Sequence, residues 1–449
     1  MNQYLIEGGY PISGTIKASG NKNAALPCIA AALLTDEPVI LRNIPNIEDV
    51  QVMLSVFRTL GGDVAPLGPN AWRLTTGDII SPEIPLEEAG KIRASILFAG
   101  PLLARTGKAV LPPPGGDVIG RRRLDTHFLV LTELGATVEI VKGASSLSRN
   151  GKAGGSSNGE ANGGSDAFVF SSRGLRGEDI FLDEASVTAT ENAVMAAVLA
   201  DGETILTNTA SEPHVQDLCR MLCLMGASIE GIGSNILRIR GVKKLSGCDF
   251  TIGADFMEVG SFIGLAAVTR GELFIEGTRP ADVRPAKIAF GKLGIVWEHE
   301  SSTLHVPAVQ SLEVNHDLGG MIPKIDDAPW PGFPPDLTSI VTVVATQVKG
   351  TVLIHEKMFE SRMFFVDKLI GMGARIVLCD PHRAVVSGPT RLTGSELQSP
   401  DVRAGMAMVI AAMAAEGKSR IDNVYQIERG YENIVARLSS LGGRINVSA

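Results

Sequence analysis

Apolar and polar positions alternate along this chain in a unit that recurs six times. Each copy has a strand, a loop holding polar residues, a helix, and then an apolar residue, Gly, two further residues and Val or a similar apolar one. The helix-closing pairs are Leu60-Gly61, Leu134-Gly135, Met225-Gly226, Leu293-Gly294, Met372-Gly373 and Leu441-Gly442. Those glycines suit the left-handed position past a helix C-terminus, and Val64, Val138, Ile229, Val296, Ile376 and Ile445 are expected to begin strands. The intervals between the glycines are 74, 91, 68, 79 and 69 residues. A unit is therefore about 70 residues long, and the second interval holds an insertion. The stretch from Gly143 to Asp166, GASSLSRNGKAGGSSNGEANGGSD, fits that insertion as a flexible Gly/Ser-rich surface loop.

Two of the predicted helices, SVTATENAVMAAVLA and VRAGMAMVIAAMAAEG, are apolar nearly all round and must be buried on most sides. Six strand-helix-strand units wrapped around buried helices predict a two-lobed inside-out α/β barrel. Residues 22–253 are expected to form one lobe, with a shaped loop at 111–127 and the insertion at 143–166. Residues 1–21 plus 254–449 form the second. The cleft between two such lobes is the expected ligand site.

Composition narrows the choice of ligands. The chain has 449 residues, 45% of them hydrophobic and 20% charged, in the range of soluble globular proteins and too long for one ordinary core. A formal net charge of -8 argues against a general nucleic-acid or acidic-membrane binder, so local basic clusters point to small anionic ligands. The opening MNQYLIEGGYPISG has no basic or apolar leader pattern, and no apolar run reaches the ~18 residues that span a bilayer. A cytoplasmic protein is expected. The five cysteines, Cys28, Cys219, Cys223, Cys248 and Cys379, have no framework spacing, so disulfides are not expected. Cys219 and Cys223 share a helix face and read as buried thiols rather than half a metal site. No metal-ligand spacing, P-loop or dinucleotide fingerprint occurs, and neither a metal nor a cofactor is expected.

Cations recur where helices begin. In LPPPGGDVIGRRRLDTH, from Leu111 to His127, prolines stiffen the loop entry and Gly115, Gly116 and Gly120 free the backbone. Leu124, Phe128 and Leu131 then share a helical face. Arg121, Arg122 and Arg123 thus crowd a helix start, where the macrodipole disfavours cations. This stretch alone fits an anion site or a solvated basic turn with Asp117 on its surface. In SGNKNAALP, Asn23 is a plausible N-cap, which puts Lys22 at a helix mouth. Arg403 follows the predicted cap Asp401, and Arg362, Arg429 and Arg122 hold the equivalent loop-to-helix place of three repeats. Such repeated placements against the dipole fit phosphate and carboxylate ligands. The competing reading pairs these arginines with nearby Glu360, Asp401 and Glu428, and it suits Arg362 best. Asp336, closing WPGFPPD before LTSIVTVVATQV, reads by itself as an N-cap aspartate. Of the histidines, His127 and His214 fall in the repeated functional loop.

GNKNAALP, KIRAS, the Gly-Gly-x-x-Ile-Gly loop with Arg122 and His127, FPPD and the terminal ERGYE occur here in an order that resembles the UDP-N-acetylglucosamine 1-carboxyvinyltransferase family of enolpyruvyl transferases. The resemblance runs over essentially the whole chain. It implies the enolpyruvyl transferase fold, and transfer of enolpyruvyl from phosphoenolpyruvate to the 3'-hydroxyl of the aminosugar nucleotide through a tetrahedral intermediate, with phosphate released. On that basis Lys22, Asn23, Arg122, Arg403 and Arg429 would hold the phosphoenolpyruvate. Asn23 and Asp336 would meet the sugar, with Asp336 as the base on its 3'-hydroxyl and Asp117 as the general acid. Arg93, Arg122, Arg123, Leu124, Asp125, Thr126, the 184–187 segment with Ser186 and Val187, and Met358 would face the UDP-sugar. A monomer without nucleic-acid or membrane partners is implied.

Three positions depart from the family pattern. Asp117 stands where most members carry cysteine. A carboxylate cannot be alkylated as a thiolate is, so resistance to the epoxide fosfomycin is expected. Glu184 replaces a lysine on the uridine-diphosphate side, and Ser-Val-Gly becomes Ser186-Val187-Thr188. An Asp-Arg pair between the lobes reads Asp255-Phe256. These changes keep open a different nucleotide or phosphorylated acceptor, or a catalytically silent binding paralogue.

Overall fold

A computed structural model describes residues 2–115, 123–142 and 166–448. Among the described residues, five four-stranded sheets and one three-stranded sheet repeat a single plan. An entry strand leads into a helix, the helix ends at a left-handed glycine, and a hairpin returns antiparallel to the entry strand. In the unit entered by Gly350–His355, the helix Val366–Gly371 ends at Met372 and Gly373 has φ 103°. Strands Arg375–Asp380 and Arg383–Gly388 follow, and Lys324–Asp326 adds a parallel edge to the entry strand. All six predicted glycines take positive φ, between 70° and 109°. Five of the six predicted strand starts fall within strands. The exception is Val296, because that strand begins at Glu298. Ile295 and Trp297 are buried while Val296 points to solvent, so the alternation is there but the pairing starts later.

The sixth unit is completed by the chain's own start. Strand Gln3–Glu7 pairs antiparallel with both Lys418–Asp422 and Arg444–Ser448, taking the place a hairpin strand has elsewhere. Two hydrophobic cores result. One is built from buried residues between Ala24 and Ile252, the other from Tyr4 to Ala18 together with Ala254 to Ile445. Within the second, helices Phe256–Thr269, Thr338–Thr346 and Val402–Ala414 pack on one another and are almost wholly buried. Small residues set the spacing. A Cβ on Gly264 would lie 2.9 Å from the Ile340 side chain, inside contact distance. The first core holds Lys22–Ala31, Ala99–Thr106 and Val187–Ala197 in the corresponding places. Both helices singled out by composition are among these buried six.

All five cysteines are free, with Cys28 and Cys219 buried and Cys223 partly so. Among the described residues, no helix is long and apolar enough to cross a membrane. The Gly/Ser-rich insertion lies outside the described residues except for Asp166.

Candidate active site

A cleft of about 370 Å³ opens between residues of the two cores. Its cations arrive on the N-terminal ends of helices and on the loops before them. The helix Lys22–Ala31 is capped by Asn21, whose side chain accepts from the N–H groups of Asn23 and Ala24. The cap is therefore Asn21 and not Asn23. GNKN offers two asparagines of equal capping chemistry, and the earlier one takes the role, which leaves the Asn23 side chain on the cleft wall. Lys22 Nζ lies 2.5 Å from Asp49 Oδ2, and Arg429 Nε donates to Asp49 Oδ1 at 2.8 Å. One buried carboxylate thus holds two cations side by side. Glu428, the acid nearest Arg429 in sequence, instead accepts from Tyr4.

Asp401 caps the helix Val402–Ala414 as expected, accepting from the Arg403 and Ala404 N–H groups at 2.8 and 2.9 Å. The Arg403 guanidinium points elsewhere. Its Nε is 3.2 Å from Asp336 Oδ2, its Nη2 is 3.4 Å from Asp255 Oδ2, and it lies over the Tyr431 ring at 5.1 Å. Asp336 is not an N-cap. It sits in the short turn Pro335–Leu337, and its carboxylate is gripped by Arg403 and by Arg362, whose Nη2 is 2.5 Å from Oδ1. Arg362 is thus a cleft residue and not a surface arginine paired with Glu360. Two donors in this cluster, Arg362 Nε and Arg403 Nη1, are buried and meet no hydrogen-bond acceptor among the described residues. Buried orphan donors on two guanidiniums suit an anionic ligand.

Burial alone would raise the Asp336 pKa. The adjacent Arg362 and Arg403 outweigh it and hold the carboxyl well below the usual carboxylate range. For Asp255 burial prevails over Arg403, and its pKa is raised. Across the cleft, burial also raises Glu191 and Glu212, and Glu212 pushes Glu191 further up. His214 is driven down to about 4 by burial, against the opposing pull of Asp336. Burial thus works against charge on that wall, where the facing one is cationic. Phe256, at the third departure from the family pattern, lies parallel to the His214 ring at 6.2 Å and edge-on to Trp330 at 5.7 Å. An aromatic stack across the two cores stands where an arginine was expected.

Of the predicted site residues, Lys22, Asn23, Arg93, Arg123, Ser186, Val187, Asp336, Met358, Arg403 and Arg429 line this one cleft. Leu124, Asp125 and Thr126 are not in its lining. Leu124 packs against the first core, Asp125 pairs with Arg123, and Thr126 donates to Asp183 at 2.7 Å. Asp117, Arg121 and Arg122 lie outside the described residues. Sequence reasoning missed Asp49, Glu191 and Glu212. Asp49 reads as an ordinary acid complementing the first turn of helix Glu48–Thr59, and only the tertiary fold brings Lys22 and Arg429 to it. No cluster of three His, Cys, Asp or Glu residues suited to a metal occurs among the described residues.

Residues 6–438 match the EPSP synthase (3-phosphoshikimate 1-carboxyvinyltransferase) family. The chain is 67% identical over 447 residues to the UDP-N-acetylglucosamine 1-carboxyvinyltransferase of Treponema denticola, covering 100% of this chain and 99% of that one. It is 62% identical over 445 residues to the enzyme of the same name from Treponema pallidum, with 99% of each chain covered. Among solved structures, the enolpyruvyl transferase NikO from Streptomyces tendae superposes with a TM-score of 0.82 at 23% identity, covering 100% of this chain and 99% of that one. An EPSP synthase from Acinetobacter baumannii gives 0.73 at 17% identity, with 100% of both chains covered. The two-lobed architecture is the enolpyruvyl transferase fold, and the chain belongs to the UDP-N-acetylglucosamine 1-carboxyvinyltransferase family.

Proposed function

We infer that this protein transfers the enolpyruvyl group of phosphoenolpyruvate to the 3'-hydroxyl of UDP-N-acetylglucosamine, releasing phosphate, in the first committed step of peptidoglycan synthesis. The observation that carries this reading within the family is the Asp336 carboxylate, held ionised between Arg362 and Arg403 in a cleft that also presents Lys22 and Arg429. A polyanionic donor needs such a set of cations, and an acceptor hydroxyl needs a carboxylate beside it. Lys22, Arg429 and Arg122 take the donor's phosphate, and Arg362 and Arg403 its carboxylate. Asn23 and Asp336 meet the sugar.

Asp336 is a weak base while two guanidiniums grip it. Donor binding draws those guanidiniums toward the donor's own negative charge, and the basicity of Asp336 recovers beside the 3'-hydroxyl. The hydroxyl oxygen then bonds to C2 of the donor, its proton passes to Asp336, and Asp117 supplies a proton to the methylene carbon C3. Cleavage of the C2–O bond to phosphate, with a C3 proton passing back to the Asp117 carboxylate, yields the enol ether and inorganic phosphate. The cations act on charge that accumulates on the departing phosphate. Arg93, Arg123, Ser186 and Val187 form the wall for the nucleotide. A monomer is the simplest assembly for this reaction, and both of its substrates are cytoplasmic.

Isothermal titration tests the acceptor directly. UDP-N-acetylglucosamine should bind saturably to the purified protein; a protein that binds phosphoenolpyruvate but not the aminosugar nucleotide would have a different acceptor. A second expectation concerns Asp117. Preincubation with fosfomycin should leave activity intact, and Asp117→Cys should make inactivation time-dependent and irreversible, because only the thiolate opens the epoxide. Irreversible loss of wild-type activity would contradict this.

A further inference from the structure

Thr188 stands where the family pattern has glycine, and its hydroxyl makes a specific contact. Its Oγ1 is 3.0 Å from Nε2 of His127. The other imidazole nitrogen, Nδ1, is 3.0 Å from Nδ2 of Asn192. Asn192 Nδ2 can only donate, so Nδ1 accepts and the proton sits on Nε2, pointing at Thr188. Asn192 is fixed in turn: its Nδ2 also donates to the Ile96 carbonyl at 2.8 Å, and its Oδ1 accepts from Gly100 N–H at 2.9 Å. A Cβ at position 100 would fall 2.6 Å from the Asn192 carbonyl oxygen, so the two helices touch through backbone here. His127 is 1% exposed and Asn192 is fully buried, whereas Thr188 is half-buried and lines the cleft.

Three wall segments meet at this point. The 123–127 segment is tied to the 183–188 segment twice, by Thr126 to Asp183 and by His127 to Thr188. It is tied to the 93–100 segment through Arg93 Nη2, which donates to the Arg123 carbonyl at 2.9 Å, and through Asn192. Arg93, Arg123, Glu184, Ser186 and Val187 are among the cleft-facing members of these segments. We propose that Asn192, His127 and Thr188 form a positioning unit that sets the wall meeting the nucleotide end of the acceptor, with Thr188 carrying the registration to the cleft surface. This rests on the functional reading above. Burial, with Arg93 nearby, lowers the His127 pKa to about 3, so the ring stays neutral and can accept from Asn192 while donating to Thr188.

Steady-state kinetics on Thr188→Val and Thr188→Ser tests the assignment. Valine keeps the shape and leaves the buried Nε2–H without an acceptor, while serine keeps the hydroxyl. The expected result is a KM for UDP-N-acetylglucosamine about 10-fold higher for the valine variant, with kcat and the KM for phosphoenolpyruvate within about twofold, and a serine variant close to wild type. Valine and serine variants that behave alike, or a loss confined to kcat or to the donor, would overturn it. Nitrogen-15 NMR of the wild type gives a readout that needs no variant to fold. His127 should be neutral with its proton on Nε2 from about pH 5 to about 8, and a proton on Nδ1 or a titration in that range would overturn the arrangement. Absence of wild-type turnover with the aminosugar nucleotide would overturn the functional reading and this assignment with it. Normal wild-type turnover with equivalent variants would overturn this assignment alone.

Discussion

Exchange of Asp336→Asn is expected to lower kcat by roughly 10²- to 10⁴-fold, the range that a positioned general base supplies. Binding of phosphoenolpyruvate should not weaken, because the carboxylate that competes for Arg362 and Arg403 has been removed. That split separates a base from a merely structural anion. If Asp336 served only to neutralise the guanidiniums, its loss would misplace them and donor affinity would fall along with kcat. Asparagine keeps the volume of the side chain, but it removes the ion-pair partner of Arg362 and leaves Arg403 only Asp255, so thermal unfolding of the variant must be measured alongside. The pH dependence follows from the direction of the shift. Burial raises the Asp336 pKa, Arg362 and Arg403 lower it by more, and the group stays ionised in the folded protein below the usual carboxylate range. Its ion pairs therefore contribute stability throughout the range above about pH 4, and lose it only as stronger acid protonates the folded-state carboxyl. The free enzyme should show no fall in kcat/KM from this group between neutral pH and about pH 5.

The donor's phosphate supplies the second large effect. Lys22→Ala and Arg429→Ala should each raise the KM for phosphoenolpyruvate by roughly 10- to 100-fold, as expected for losing a charge-assisted hydrogen bond. Their effects should not multiply. Both cations are held by Asp49, at 2.5 and 2.8 Å, so removing one already frees half of that carboxylate and alters the setting of the other. The double variant should lose less than the product of the two single losses, while the KM for the aminosugar nucleotide changes little. Strict multiplication would mean that Lys22 and Arg429 act independently and that Asp49 does not couple them.

Local chemistry made much of the fold legible. An apolar residue followed by a left-handed glycine is a backbone requirement, and Gly61, Gly135, Gly226, Gly294, Gly373 and Gly442 all meet it. The all-apolar helices could only be interior, and Val187–Ala197 and Val402–Ala414 are. What failed was pairing across the fold. Proximity in sequence suggested Glu360 for Arg362 and Glu428 for Arg429. Their partners, Asp336 and Asp49, lie 26 and 380 residues away and are brought in by tertiary packing. The Asp336 side chain carries the same N-cap signal whether it bonds backbone N–H groups or faces a cleft, and the guanidiniums decided between them. Asn21 and Asn23 differ by two positions and not in chemistry, so no residue-level rule separated the cap from the cleft residue. Thr188 reads in the sequence only as a departure from Ser-Val-Gly, and the contact of its hydroxyl with His127, 61 residues away, is made by tertiary packing.

Phosphate release from phosphoenolpyruvate by the purified protein, with and without UDP-N-acetylglucosamine, tests the central claim most directly. The structure and the family predict release that depends on the aminosugar nucleotide and is abolished by Asp336→Ala. A folded protein that binds phosphoenolpyruvate yet releases no phosphate when the aminosugar nucleotide is added would contradict it.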